Sequence, residues 1–319
     1  MELRIVTPAP HGSRRGNRVT ALRWAVFLRG EGHAVRVEDV ASASDEPCDV
    51  LVALHAVRGA AALRRASAAT PRPRLVVVLT GTDIYPRISG EALETLRLAD
   101  RIVALNNRVE AVLPADVRER VRVILPSAPP IADVPKRTDA LVIVAAGHLR
   151  AVKDPLFAAR AVRALPASSR LVIEHLGGSL DEALAREAAA ESASNPRWTW
   201  LGDQRRHATL HAIAAAHALL LTSRDEGGPT VIAEALMAGT PVLAPAIDGV
   251  LGLLDDDYPG TYPPGDERAL SALLARFELD GSFRAGLVQV CAERRSEFDS
   301  ARERAEVCAL VRELRFDVT

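Results

Sequence analysis

Two glutamates, Glu226 and Glu234, stand on either side of a Gly-Gly-Pro turn in Ser223-Arg-Asp-Glu-Gly-Gly-Pro-Thr-Val-Ile-Ala-Glu234-Ala-Leu-Met-Ala-Gly-Thr-Pro-Val. The apolar run Ala218–Thr222 before them reads as a strand, and the spacing from Thr230 reads as a helix. Glu226 then lies on the loop and Glu234 one turn into the helix. Gly227 and Gly228 let backbone approach a ligand closely, Pro229 opens the helix, and the N–H groups of Thr230 and Val231 at its start are offered to an anion. A carboxylate at Glu234 can accept hydrogen bonds from both hydroxyls of a ribose diol. Glu226, at the loop tip, is placed to hold sugar hydroxyls.

Cations follow the same logic in Gly147-His-Leu-Arg150-Ala-Val-Lys153-Asp-Pro. Arg150 and Lys153 would neutralise charge developing on a departing diphosphate, work that a metal does elsewhere. Lysine is scarce here: of 40 Lys and Arg residues, only Lys136 and Lys153 are lysines. Coding bias explains most of the arginine excess, yet a lone lysine beside a phosphate site matters.

A third cluster, Thr7-Pro-Ala-Pro-His-Gly-Ser-Arg-Arg-Gly-Asn-Arg18, continues to Arg23. Gly12, Ser13, Arg14, Arg15, Gly16, Asn17, Arg18 and Arg23 place glycines and guanidinium groups at a strand-to-helix turn, with Asn17 read as the helix cap. Such a turn suits a small, highly charged anion. It lacks G-x-G-x-x-G, which speaks against a nicotinamide cofactor. His55 ends one apolar run, and Thr82 and Asp83 end another. Either residue type orients a hydroxyl or simply completes a loop.

These groups need a scaffold with many strand ends. The chain has 319 residues, 48 % of them hydrophobic and 25 % charged, which fits a globular protein of about two domains. A net charge of −1 argues against a general nucleic-acid or membrane-surface binder. Strands are expected at Leu3–Thr7, Ala34–Val37, Asp49–His55, Leu75–Thr80, Arg101–Leu105 and Val121–Leu125. The near-continuous apolar runs among them suit parallel strands buried on both faces. Prolines punctuate Pro126–Pro135, and a second series follows: Leu141–Ala146, Leu171–Leu176, Trp198–Leu201, Ala218–Thr222 and Pro241–Ala244. Two closing helices are expected from about Glu267 and Ala301.

The expected organisation is an α/β chain with domains at 1–128 and 139–300, a linker at 129–138, and a C-terminal helix at 301–319 packing back on the N-terminal domain. Ligands in open α/β sheets bind at the carboxyl ends of strands. That places every cluster above on a functional edge and adds Gly202, after Trp198–Leu201. No run of about 20 apolar residues is present, Met1–Pro10 has no signal-peptide h-region, and Cys48, Cys291 and Cys308 are too scattered for a metal site and too few for a disulfide framework. The expectation is a cytoplasmic protein. Asp255-Asp-Asp257 reads as a solvated turn, and no histidine spacing suggests zinc.

Glu226 and Glu234 match the E-x7-E element of retaining GT-B glycosyltransferases, which the chain resembles. Trp200-Leu-Gly-Asp, a helix from His207 and Ala218-Leu-Leu-Leu-Thr-Ser precede that element in the same order as in the family. The resemblance implies two Rossmann-like domains facing across a cleft and a nucleotide-sugar donor, with Glu234 on the ribose. Glu226 and the N–H groups within Gly227–Val231, Pro229 having none, would meet sugar and diphosphate, and no metal or other cofactor is implied. Where the family has arginine after Gly147 this chain has His148, while Lys153 matches the family lysine.

Over nearly its full length, the chain is similar to a narrower group, the selenosugar synthases of bacterial selenoneine biosynthesis. The segments that carry this are the arginine-rich turn, Val52-Ala-Leu-His55, Leu79-Thr-Gly-Thr-Asp83 and Gly147–Pro155. The resemblance implies a UDP-sugar (UDP-N-acetylglucosamine or UDP-glucose) and selenophosphate as substrates. Three alternatives stay open: a glycosyltransferase with a hydroxyl acceptor, a sugar-nucleotide epimerase, and a non-catalytic nucleotide-sugar sensor.

Overall fold

The computed structural model describes residues 1–316; the last residues of the expected C-terminal segment, 317–319, lie outside the described residues. The chain forms two compact units. One comprises Met1–Pro126, Glu226–Pro229 and the C-terminal helix, and the other comprises Ser127–Asp225 and Thr230–Asp299.

The first unit holds strands β1 (Glu2–Thr7), β2 (Ala34–Asp39), β3 (Val50–Leu54), β4 (Arg74–Val78), β5 (Arg101–Ala104) and β6 (Val121–Val123). They pair in parallel, in the order β2-β1-β3-β4-β5-β6. Period-two alternation divides the inner strands β1, β3, β4 and β5 between two apolar layers. Val50, Val52 and Leu54 face a layer built by Trp24, Ala25 and Leu28 of the first helix and by Leu310, Val311 and Leu314 of the last. Leu51 and Ala53 face the opposite layer, with Leu63 and Leu96 of two further helices. The helix Ser300–Phe316 is therefore part of the first unit's core.

The second unit holds β7 (Leu141–Ala146), β8 (Leu171–Leu176), β9 (Trp198–Trp200), β10 (Ala218–Leu220), β11 (Val242–Pro245) and β12 (Thr261–Tyr262). Its parallel order is β12-β11-β10-β7-β8-β9. Read from β9, this is the doubly wound order in which the chain starts mid-sheet and builds outward both ways. Each sheet thus has a topological switch point, at β1/β3 in the first and β7/β10 in the second. In open α/β sheets, ligands bind outside the carboxyl ends of the strands at such a point.

The structure departs from the sequence reading in several places, among them the sixth strand of the second sheet, Thr261–Tyr262, which was not expected. Glu226–Pro229, expected within the 139–300 domain, belongs to the first unit. The chain has a helix at Gly281–Arg294 that sequence spacing did not separate from the preceding Glu267–Leu279. Asp280 is the hinge, since it closes one helix and its side chain caps the next through the N–H of Phe283. Asn17, too, is not the cap of the first helix. That helix begins at Gly16, Arg15 occupies the cap position, and no side chain caps it.

Candidate functional site

In the first unit, three neighbouring strands β1, β3 and β4 end in the arginine-rich turn, His55 and Thr80–Asp83. The turn is built locally: Ser13 Oγ accepts the Arg15 N–H at 3.2 Å, and Gly12 takes a positive φ of 75°. The helix from Gly16 has no acidic residue in its first turn, so its dipole and N–H groups remain suited to an anion. Arg14 is exposed, Arg15, Ser13 and Asn17 are half-buried, and Arg18 is only 5 % exposed. Arg18 Nε and Nη1 have no hydrogen-bond partner among the described residues. Buried guanidinium nitrogens are normally satisfied, so Arg18 is the member of this cluster that its own fold leaves most in need of an anion.

Arg23 does not belong to that cluster. Its Nε and Nη2 donate to Glu303 at 2.7 and 3.0 Å, and Trp24 Nε1 donates to the same carboxylate at 2.7 Å. The positive charge expected to meet a substrate instead ties the first helix to the last.

His55 sits at φ 78°, a left-handed conformation that costs a non-glycine residue energy. Its Nδ1 accepts the Arg58 N–H at 3.2 Å, which leaves Nε2 to carry the proton and donate to Thr82 Oγ1 at 3.2 Å. His55 is buried and Thr82 exposed, so the imidazole orients a surface hydroxyl. Asp83, expected against a substrate, holds backbone instead. It is buried and accepts from the N–H groups of Ala56 at 2.8 Å and Thr80 at 3.0 Å.

The Glu226–Pro229 segment packs on this same edge. A Cβ at Gly81 would lie 2.5 Å from the nitrogen of Gly227, and one at Gly228 would lie 2.5 Å from Leu105 Cβ. The absence of side chains at Gly227 and Gly228 is therefore demanded by the packing of Thr80, Gly81 and Leu105 against them.

In the second unit, the loop after β7 carries His148, Arg150 and Lys153. Gly147 is held by His175, whose Nε2 donates to the Gly147 carbonyl at 3.0 Å. Burial pushes the His175 pKa down to about 4, so the ring is neutral. His148 Nδ1 lies 3.3 Å from the Gly178 carbonyl, which fixes its ring on the loop after β8. Lys153 ends a short 3₁₀ turn, and Thr222 Oγ1 donates to its carbonyl at 2.8 Å. Arg224 Nη2 pairs with Asp154 at 2.9 Å. The loops after β7 and β10 are thereby joined at the switch point.

Helix Thr230–Met237 carries Glu234, buried with only 6 % exposure. Arg206 Nη1 donates to Glu234 Oε1 at 2.6 Å. Arg206 begins the helix after Gly202, and nothing in its sequence setting marked it. Gly202 has φ +69° and open space beside it, so its conformation rather than crowding requires glycine.

Residues 131–293, just over half of the chain, match the family model described as glycosyl transferases group 1. The chain belongs to that family. It is 28 % identical over 269 residues to a D-inositol 3-phosphate glycosyltransferase of Saccharomonospora viridis, covering 79 % of this chain and 61 % of the relative. It is 29 % identical over 174 residues to the protein of the same description from Mycobacteroides abscessus, covering 52 % of this chain and 39 % of the relative. The chain thus spans less than two thirds of the length of these relatives. Among solved structures, sucrose-phosphate synthase from Thermosynechococcus elongatus superposes with a TM-score of 0.83 at 16 % identity, covering 100 % of both chains. HepE from Anabaena, in complex with UDP-glucose, gives a TM-score of 0.77 at 15 % identity over 98 % of this chain and 100 % of that one. The two six-stranded parallel sheets are those of the GT-B glycosyltransferase fold. Among the described residues no helix is long and apolar enough to cross a membrane.

Proposed function

We propose that this family member transfers a sugar from a UDP-sugar, UDP-N-acetylglucosamine or UDP-glucose, to selenophosphate, giving a 1-seleno-sugar of the kind used in selenoneine biosynthesis. Glu234 accepts the ribose hydroxyls, and the amides at the start of its helix meet the diphosphate. Lys153 and Arg150 neutralise the leaving group, with His148 in the place of the family arginine. The selenium lone pair forms the bond to the anomeric carbon as that carbon's bond to the UDP oxygen breaks, and the electron pair leaves with UDP. Water then cleaves the Se–P bond, giving inorganic phosphate and the selenol sugar. Selenophosphate is already nucleophilic, so the step needs cations more than a strong base.

The observation that carries the acceptor half of this reading is Arg18, buried to 5 % exposure with two nitrogens unpartnered among the described residues. Beside an uncapped helix start free of acidic residues, it favours a compact anion over a neutral hydroxyl acceptor. The donor half is supported by family membership and by the fold shared with HepE, crystallised with UDP-glucose.

The test is to incubate the protein with each UDP-sugar, with and without selenophosphate, and to follow UDP release and selenium-containing product by mass spectrometry. Selenophosphate-dependent UDP release with a product of the selenosugar mass is expected. UDP release that ignores selenophosphate and rises with an alcohol acceptor overturns the reading.

A further inference from the structure

Asn106 is fully buried two residues beyond the end of β5, and no catalytic chemistry uses it. Both ends of its amide are engaged. Oδ1 accepts the N–H of Arg108 at 2.8 Å, and Nδ2 donates to the carbonyl of Gly227 at 2.6 Å. The first bond fixes the amide orientation, because an N–H donor must face the oxygen. The second is a side-chain hook on a segment 121 residues away in sequence.

The segment it hooks is short and tightly enclosed. Gly227 backs onto Thr80 and Gly81, where a Cβ on either glycine would collide with the other's backbone. Gly228 backs onto Leu105 Cβ and carbonyl at 2.5 and 2.8 Å from where its own Cβ would be. Gly81 itself has φ +115°, a conformation L side chains rarely adopt. Glycine complementarity lets the segment come close, but van der Waals contact alone permits sliding. The buried Asn106 bond supplies direction, and breaking it would leave a carbonyl unsatisfied.

We propose that Asn106 is a positioning residue for Glu226, setting where that carboxylate meets the donor sugar. The inference rests on the reading of Glu226 as a contact to the sugar. Glu226 immediately precedes Gly227, so a shift of the Gly227 carbonyl moves it directly. Glu234 lies on helix Thr230–Met237 in the second unit and is not held by Asn106. Asn106 therefore acts chiefly on recognition of the sugar through Glu226, and not on the ribose contact of Glu234.

The test measures calorimetric Kd values of the 319-residue chain for UDP, UDP-glucose and UDP-N-acetylglucosamine, in wild type, Asn106→Asp, Glu226→Gln and the double variant. Asn106→Asp keeps the acceptor for Arg108 but sets a carboxylate oxygen against the Gly227 carbonyl. The expected result is UDP affinity within twofold of wild type, UDP-sugar affinity at least fivefold weaker in each single variant, and no further loss in the double variant. Non-additivity of this kind marks two residues acting through one contact. Equal loss for UDP and UDP-sugar, no loss, or additive losses in the double variant would overturn the role of Asn106. A Glu226→Gln variant with an unchanged ratio of UDP-sugar to UDP affinity would overturn the underlying reading of Glu226, and that single variant separates the two failures. Should Asn106→Asp not fold, Asn106→Ser, whose hydroxyl is too short to reach the Gly227 carbonyl as the amide does, is judged by the same ratio.

Discussion

Arg23 and Glu303 lie 280 residues apart in sequence and form a two-point ion pair, with Nε and Nη2 2.7 and 3.0 Å from the carboxylate oxygens. Glu303 is 1 % exposed and also accepts from Trp24. The pair joins the first and last helices on one face of the first sheet, so its work is structural.

Glu303→Ala should therefore destabilise the first unit, because it leaves the guanidinium of Arg23 buried without its counter-charge. Breaking a buried pair from one side costs about 3–5 kcal/mol. Urea denaturation followed by near-ultraviolet circular dichroism measures this, and an unchanged midpoint would refute it. Arg23→Ala should lower stability without a selective effect on anion use.

What was legible in the sequence follows from distance along the chain. Val50–Leu54 and Arg74–Val78 are apolar runs whose burial on two faces is a local property, and they are strands as read. Lys153 and Glu234 sit on short motifs after strands, so their placement on the carboxyl edge was also local. The partner of Arg23 was not legible, since nothing near Arg23 distinguishes it from Arg18. Only the packing of the last helix does. The same holds for Arg206, exposed on its own helix yet bonded to Glu234, and for the glycines at 227 and 228, whose crowding comes from Gly81 and Leu105.

The stability should fall as pH drops from about 6.5 toward 4. His175 has a folded-state pKa of about 4 because burial penalises its charged form, while an unfolded histidine titrates near 6.5. Between those values the unfolded chain binds a proton that the folded chain does not, so acid favours unfolding. The full penalty is on the order of 3 kcal/mol and is reached below about pH 4. His217, also shifted down by burial, adds in the same direction. His175→Gln retains an amide donor and removes the titration. Unfolding midpoints at pH 7 and pH 5 should differ less in this variant than in wild type, and equal differences would exclude His175 as a source.

Glu234→Ala should weaken UDP binding by about 10- to 100-fold, the scale of hydrogen bonds to a charged acceptor. Arg206→Ala should cause a smaller loss of about three- to tenfold, because it removes the group that orients Glu234 Oε1. If both residues act on the ribose, neither substitution should matter for a 2′,3′-dideoxy analogue of UDP. Titration calorimetry with the two nucleotides checks this, and equal losses for both would place Glu234 elsewhere on the ligand.

Arg18 makes stability and function pull in opposite directions. A guanidinium that is 5 % exposed, with Nε and Nη1 unpartnered among the described residues, costs the folded protein desolvation. Arg18→Leu retains apolar bulk in the first helix and removes that cost. It should raise the unfolding free energy by about 1–3 kcal/mol in the absence of ligand. The same substitution should raise the KM for selenophosphate at least tenfold and leave the Kd for UDP unchanged. A residue conserving the charge, as in Arg18→Lys, should recover part of the anion use and none of the stability. A purely structural arginine would behave in the reverse way, with Arg18→Leu less stable and its kinetic defect shared between donor and acceptor. Paired denaturation and steady-state measurements on the two variants decide between these outcomes, because a gain in stability that comes with an acceptor-selective kinetic loss is the trade-off expected of a functional charge.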